Sequence, residues 1–192
     1  PSRYIGFYEA HIEQGDRLEK AGQQIGVVTS IVAIWQYKII FEGEQNHAGT
    51  TTMTSRKDAG RAMMELWRGI EDQFPKVAGP HSVWTVGSTT LEPGGPSIIP
   101  GRAEVWFQLR DADQAILDAM HARLEALVAE VDAWGPCSAQ LVVMGQSTPA
   151  VMDEKVRQTL VDAAKALAPY TYRIMPSGAG HDAQVIQPHV PS

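Results

Sequence analysis

From residue 34 onward the chain switches its hydrophobic period in a regular order. Tyr37, Ile39 and Phe41 alternate with Lys38, Ile40 and Glu42, which predicts a strand ending at Gly43 before a polar loop from Glu44 to Ser55. Ala59, Ala62, Met63, Leu66, Trp67, Ile70 and Phe74 then recur at three- and four-residue spacing. They predict a helix that Ser55 or Asp58 can cap and that ends before Pro75. Val83 to Leu91, and the alternating Ala103, Val105, Phe107 and Leu109, predict two antiparallel strands on either side of the turn signals Pro93-Gly94-Gly95-Pro96. A second amphipathic helix follows from Asp113, with Leu117, Met120, Leu124, Leu127, Val128 and Val131 on one face and Gly135-Pro136 as its stop. Ala139 to Met144 is a last strand. The order strand, helix, strand, strand, helix, strand over residues 34–147 is that of the split βαβ, ferredoxin-like sandwich.

The flanks do not fit that sandwich. Tyr4 to Ala10 reads as a strand, Glu13 to Lys20 as a short helix ended by Gly22, and Ile25 to Val32 as a buried strand. Asp153 to Ala168 predicts a helix with Val156, Leu160, Ala163, Ala164 and Leu167 facing inward, and Tyr170 to Met175 a strand. The expected fold class is α/β with an α+β lid. The sandwich at 34–147 is inserted in a discontinuous α/β domain to which 1–33 and 148–192 contribute. Without an initiator Met, and with its last apolar patch from Val185 to Val190 cut off at Pro191-Ser192, the chain reads as a piece of a longer protein.

Composition narrows the partners. A chain of 192 residues with 44% hydrophobic positions has enough apolar surface for a real core. Lys+Arg 16 against Asp+Glu 22 gives a net charge of −6, and no basic block is present, so the electrostatic footprint of a nucleic-acid binder is missing. Cys137 is the single cysteine, which excludes an intrachain disulfide and favours a reducing cytoplasm. No stretch approaches the roughly 18–20 apolar residues of a membrane span, and Pro1-Ser2-Arg3-Tyr4 has no signal-peptide pattern. A soluble, cytoplasmic protein is expected.

Three clusters set histidine beside glycine or carboxylate at element ends: Glu9 to Gly15, Asn46 to Thr51 and Ser177 to Ala183. His11 stands where a strand gives way to a helix, as a neutral imidazole suited to zinc or manganese, with Glu9, Glu13 or Gln14 to orient it or touch a substrate. His47 could donate to a developing oxyanion, with Gly49 allowing close backbone approach. The small residues before His181 and Asp182 allow a tight turn into a helix whose N–H groups could face an anion. Taken singly, the clusters fit structural roles: a hydrogen-bonded surface histidine and an ordinary turn fit the first two better than a site does, and a helix start capped by Asp182 fits the third as well as one. His81, His121 and His189 read as structural.

Together the clusters resemble one family. EAHIEQG (Glu9 to Gly15), IGVVTSI (Ile25 to Ile31), NHAGTT (Asn46 to Thr51) with Met53 and Arg56 to Ala59, IIPG (Ile98 to Gly101), Arg110, and SGAGHDAQ (Ser177 to Gln184) follow the order of the hydantoinase/carbamoylase-type amidohydrolases, within the zinc aminoacylase and aminopeptidase group. The resemblance implies a catalytic α/β domain with two divalent ions, Zn or Mn, and an inserted lid that also makes the homodimer. It implies His11 as a metal ligand, Gln14 and Ser97 as substrate contacts, and His47 as the lid histidine that stabilises the oxyanion. Arg110 is the implied clamp for a substrate carboxylate, and Gly180 and His181 pocket wall. The implied reaction is hydrolysis of the C–N bond of N-carbamoyl amino acids or a ureide such as allantoate by metal-activated water.

Three positions depart from the family pattern: Ser97 replaces an asparagine, Gln108 an aspartate and Thr52 a proline. Ser97 bears on substrate identity, and Gln108 is expected to hold Arg110 less firmly. The remaining metal ligands would lie outside the chain, so the 192 residues alone are expected to be inactive. The competing readings are a non-catalytic dimerisation or regulatory module of the same fold, and an aminoacylase or peptidase of the broader group.

Overall fold

Strand pairing divides residues 3–192, which the computed structural model describes, into a three-stranded sheet, a four-stranded sheet and a two-stranded ladder. The N-terminal elements are α1 (Arg17–Lys20), β1 (Ile25–Ile31), β2 (Ala33–Glu42) and β3 (Asn46–His47). They are followed by α2 (Ala59–Gln73), β4 (Val83–Glu92), β5 (Ile98–Ile99), β6 (Arg102–Asp111), α3 (Gln114–Trp134) and β7 (Ser138–Gln146). The chain closes with β8 (Ala150–Val151), α4 (Glu154–Leu167), β9 (Tyr172–Ser177) and α5 (Asp182–Ile186). The fold is mixed α/β with several sheets. One compact unit comprises the chain up to Ala33, Asp111–Gln114 and Ser147–Ser192; the other comprises Ile34–Arg110 and Ala115–Gln146. Pro1 and Ser2, part of the expected first segment, lie outside the described residues.

In the second unit the strand order is β4-β6-β2-β7, with β4 antiparallel to β6 and β7 antiparallel to β2. Period-two alternation makes the sheet one-sided. Trp35, Tyr37, Ile39 and Phe41 from β2 and Ala103, Val105, Phe107 and Leu109 from β6 are buried, each large side chain contributing on the order of 1.5–3 kcal/mol. The same core takes Ala62, Leu66 and Ile70 of α2 and Leu117, Met120, Leu124, Leu127, Val128 and Val131 of α3. Asp58 caps α2, its Oδ1 accepting from the Arg61 N–H at 3.1 Å. The opposite strand face is charged: Lys38 pairs with Glu104 at 3.0 Å, and Arg102 bonds both Glu42 and Glu104.

The core holds a polar pair. His121 of α3 stacks on Tyr37 at 5.5 Å, and the Tyr37 hydroxyl lies 3.0 Å from His121 Nδ1. Gln146 Nε2 donates to the same hydroxyl at 3.4 Å. Burial pushes the Tyr37 hydroxyl from 10.0 up to about 12, against the opposing Gln146 hydrogen bond.

In the first unit β1 is central, parallel to β9 and antiparallel to β8. Val27 packs with Val161, Ala164 and Tyr172, while Ile31 packs with Ala150, Ala183 and Phe7. Three expectations need correction. The Tyr4 to Ala10 segment is not a strand: Phe7 donates to the Pro191 carbonyl at 2.8 Å, but Pro191 has no N–H to return and no ladder propagates. The first helix covers Arg17–Lys20 alone. In α4, Leu160 is 42% and Leu167 86% exposed, because Val156, Val161 and Ala164 face the sheet instead. The apolar arc on α4 is broad enough for either seat.

Gly43 is required by close approach. A Cβ there would lie 2.2 Å from the Lys57 carbonyl oxygen and 3.0 Å from the buried Cys137 sulfur. Gly43→Ala is expected to destabilise by about 2 kcal/mol or more in urea denaturation, whereas Gly145→Ala, with nothing within 4 Å, should change stability little. A second expectation concerns alkaline pH. Between about pH 10 and 12 the unfolded chain has lost the Tyr37 proton that the folded chain keeps, so stability falls as pH rises. Relative to Tyr37→Phe, the protein should lose about 2–3 kcal/mol across that window, measured by urea denaturation at its two ends.

Candidate active site

In the first unit three side chains from two distant parts of the sequence converge. Glu9 Oε2 accepts the backbone N–H of Ala183 at 2.9 Å, in the first turn of α5, and Glu9 Oε1 lies 3.7 Å from His181 Nδ1. His181 occupies the position preceding α5, with its Nε2 2.6 Å from Ser177 Oγ at the end of β9. His11 meets the His181 ring edge-on, with centroids 4.5 Å apart. Glu9, His11 and His181 each offer one ligand atom, all within 4.8 Å of one another.

The electrostatics favour ligating forms. His11 Nδ1 lies 2.7 Å from the Ile12 carbonyl, which can only accept, so Nδ1 carries the proton and Nε2 the lone pair. Burial, reinforced by neighbouring His11, holds His181 below its ordinary value against the opposing pull of Glu9 and Asp182, leaving a neutral imidazole. Two imidazole nitrogens and a carboxylate are a donor set that zinc and manganese accept. The group is a possible metal-binding site.

The other residues singled out from the sequence take the following places. Glu13 is structural: its two carboxylate oxygens accept the N–H groups of Arg17 at 3.0 Å and Leu18 at 2.9 Å, capping α1. Gln14 stands in an exposed turn with φ 53°. His181, not Asp182, holds the N-cap position of α5, and its side chain makes no capping bond. Gly180 lies in the loop before it. Sequence reasoning read Glu9 as an orienting group and His181 as pocket wall. The structure gathers both with His11 at ligand distance. The available signal was that Glu9 and His11 stand two residues apart in one motif.

In the second unit, β3 pairs antiparallel with β5, setting Asn46 opposite Ile99 and His47 opposite Ile98. The Ala48 N–H donates to the Ser97 carbonyl at 3.0 Å, so the His47 loop and Ser97 lie together. Arg110 is on β6, and its Nε donates to Gln108 Oε1 at 2.7 Å. Gln108 thus offers Arg110 a neutral amide acceptor in place of a carboxylate.

Known proteins resemble this chain over nearly its whole length. The sequence model of peptidase family M20/M25/M40 matches residues 3–192. Allantoate amidohydrolase of Escherichia coli (strain K12) is 34% identical over 190 residues, spanning 97% of this chain and 45% of the relative. N-carbamoyl-L-amino-acid amidohydrolase of Rhizobium meliloti is 33% identical over 177 residues, spanning 92% of this chain and 42% of the relative. Among solved structures, an amidase of the hydantoinase/carbamoylase family from Burkholderia phymatum superposes with a TM-score of 0.89 at 47% identity, covering 94% of this chain and 45% of that one. The chain spans less than half the length of these relatives. It belongs to peptidase family M20/M25/M40.

Proposed function

We propose that this chain is part of a metal-dependent amidohydrolase that cleaves the C–N bond of N-carbamoyl amino acids or a related ureide such as allantoate. The convergence of Glu9, His11 and His181 carries this reading. His11 is a metal ligand through Nε2, with Glu9 and His181 beside it as ligand or orienting groups. A Zn or Mn pair, completed by residues outside this chain, supplies Lewis-acid polarisation and an acidified water when bound. Residues 1–33 and 148–192 belong to the catalytic α/β domain.

Residues 34–147 form a ferredoxin-like lid, a reading supported by the strand order β4-β6-β2-β7 with α2 and α3 in the connections. His47 on the lid donates a hydrogen bond to the carbonyl oxygen as charge develops there. Arg110, held by Gln108, offers a planar bidentate fork to a substrate carboxylate. Gln14, Ser97 and Gly180 complete the substrate contacts. Addition of water and cleavage of one ureido C–N bond of an N-carbamoyl amino acid yields the free amino acid and carbamate, whose remaining C–N bond then breaks to give carbon dioxide and ammonia.

Homodimerisation through the lid is supported by β4, an edge strand with no buried residue, beside an apolar groove lined by Met63, Met64, Trp67 and Val86. No helix among the described residues is long and apolar enough to cross a membrane. Cys137 is buried and free, which suits a reducing cytoplasm.

The test is ammonia release by the whole protein carrying this chain, with manganese or zinc, from allantoate, N-carbamoyl-β-alanine and N-carbamoyl-L-amino acids. Turnover of one substrate class is expected, with kcat about 10²–10³-fold lower in His47→Ala and metal content reduced in His11→Ala. A folded, metal-loaded protein that releases no ammonia from any of them would overturn the proposal.

A further inference from the structure

The Asn46–Thr51 loop folds back onto its own histidine. The backbone N–H groups of Gly49 and Thr50 both point at His47 Nδ1, at 3.0 and 3.2 Å. A backbone N–H can only donate, so Nδ1 must present its lone pair, and in a neutral imidazole the proton then resides on Nε2. A proton on Nδ1 would face two donors at once. We propose that this loop locks His47 as the Nε2–H tautomer, a one-way hydrogen-bond donor, and that Arg56 is the positioning residue that braces the lock.

The lock is built from both ends. Asn46 Oδ1 accepts the His47 N–H at 2.9 Å, and Thr51 donates to the His47 carbonyl through its Oγ1 at 2.8 Å and its N–H at 3.2 Å. Arg56 spans the turn, donating from Nη2 to the Ala48 carbonyl at 2.5 Å and from Nε to the Thr51 carbonyl at 3.3 Å. Those carbonyls flank the two N–H groups that hold the ring, so the guanidinium fixes their direction. Gly49 leaves the ring its place: a Cβ there would come 3.2 Å from His47 Cε1. Pairing of β3 with β5 in a two-stranded ladder anchors the loop.

Nδ1 is not open to a metal while the two N–H groups occupy it. The ring's remaining function is donation from Nε2, the property needed where negative charge develops on an oxygen. Use of that donor in catalysis rests on the amidohydrolase reading; the tautomer itself does not. His11 provides an internal contrast, since its contact with the Ile12 carbonyl puts the proton on Nδ1.

Long-range proton–nitrogen correlation spectra of protein with ¹⁵N-labelled histidine read the tautomer directly, at about pH 8 where an ordinary histidine is neutral. The His47 signals are identified by their loss in His47→Gln. The expected result is the Nε2–H pattern for His47 beside the Nδ1–H pattern for His11. Arg56→Met should move His47 alone toward an averaged pattern and lower kcat about ten- to hundredfold, with KM changed much less. An averaged or Nδ1–H pattern for His47 in the unaltered protein overturns the lock, whatever the activity. An unchanged His47 pattern in Arg56→Met overturns the role of Arg56. A locked pattern together with full activity of His47→Ala would instead remove His47 from the reaction and leave the lock standing.

Discussion

One-sided burial of the four-stranded sheet is the constraint on which the second unit depends. Alternation in β2 and β6 commits Tyr37, Ile39, Phe41, Phe107 and Leu109 to a dry face, and α2 and α3 supply the apolar stripes that complete it. A one-residue slip in either strand would drive Lys38 or Glu104 into that core, so the register is fixed by the same alternation. Once the register is fixed, Arg110 and Gln108 share the opposite face by default, since residues two apart in a strand point the same way. The charged face is therefore a by-product of the core, and Gln108 bonds the Arg110 guanidinium from the same face of the strand.

The candidate site of the first unit is organised by polar contacts at element ends. Glu9 satisfies the Ala183 N–H at the start of α5 with one oxygen and faces His181 with the other. Glu13 spends both its oxygens on the start of α1. Two glutamates four residues apart thus have different fates, decided by whether a free carboxylate oxygen remains after the helix N–H groups are served. His11 needs no distant partner for its orientation, because the Ile12 carbonyl fixes its tautomer locally.

What the sequence made legible follows the same division. β2, β6, α2 and α3 were readable because each buries one face of a repeating period, and Asp58 and Asp153 marked helix starts by residue type. The two-residue strands β3, β5 and β8 carry no period and could not be read that way. The seat of α4 was misread because Leu160 and Val161 both lie on its apolar arc, and contact with Val27 chose between them. The identity of the site residues came from local motifs, but their meeting did not. Glu9 and His181 are brought together by the packing of α5 beside β1, a long-range fact that no spacing rule contains.

The Glu9 to Ala183 hydrogen bond joins positions 174 residues apart, and the whole second unit lies between them. Loop-closure entropy grows only logarithmically, about 0.6 kcal/mol for each doubling of length. The first unit can therefore close around an insert of almost any size at nearly constant cost. The length of the intervening segment weighs little on the assembly of the Glu9, His11 and His181 cluster, whose members all lie within the first unit.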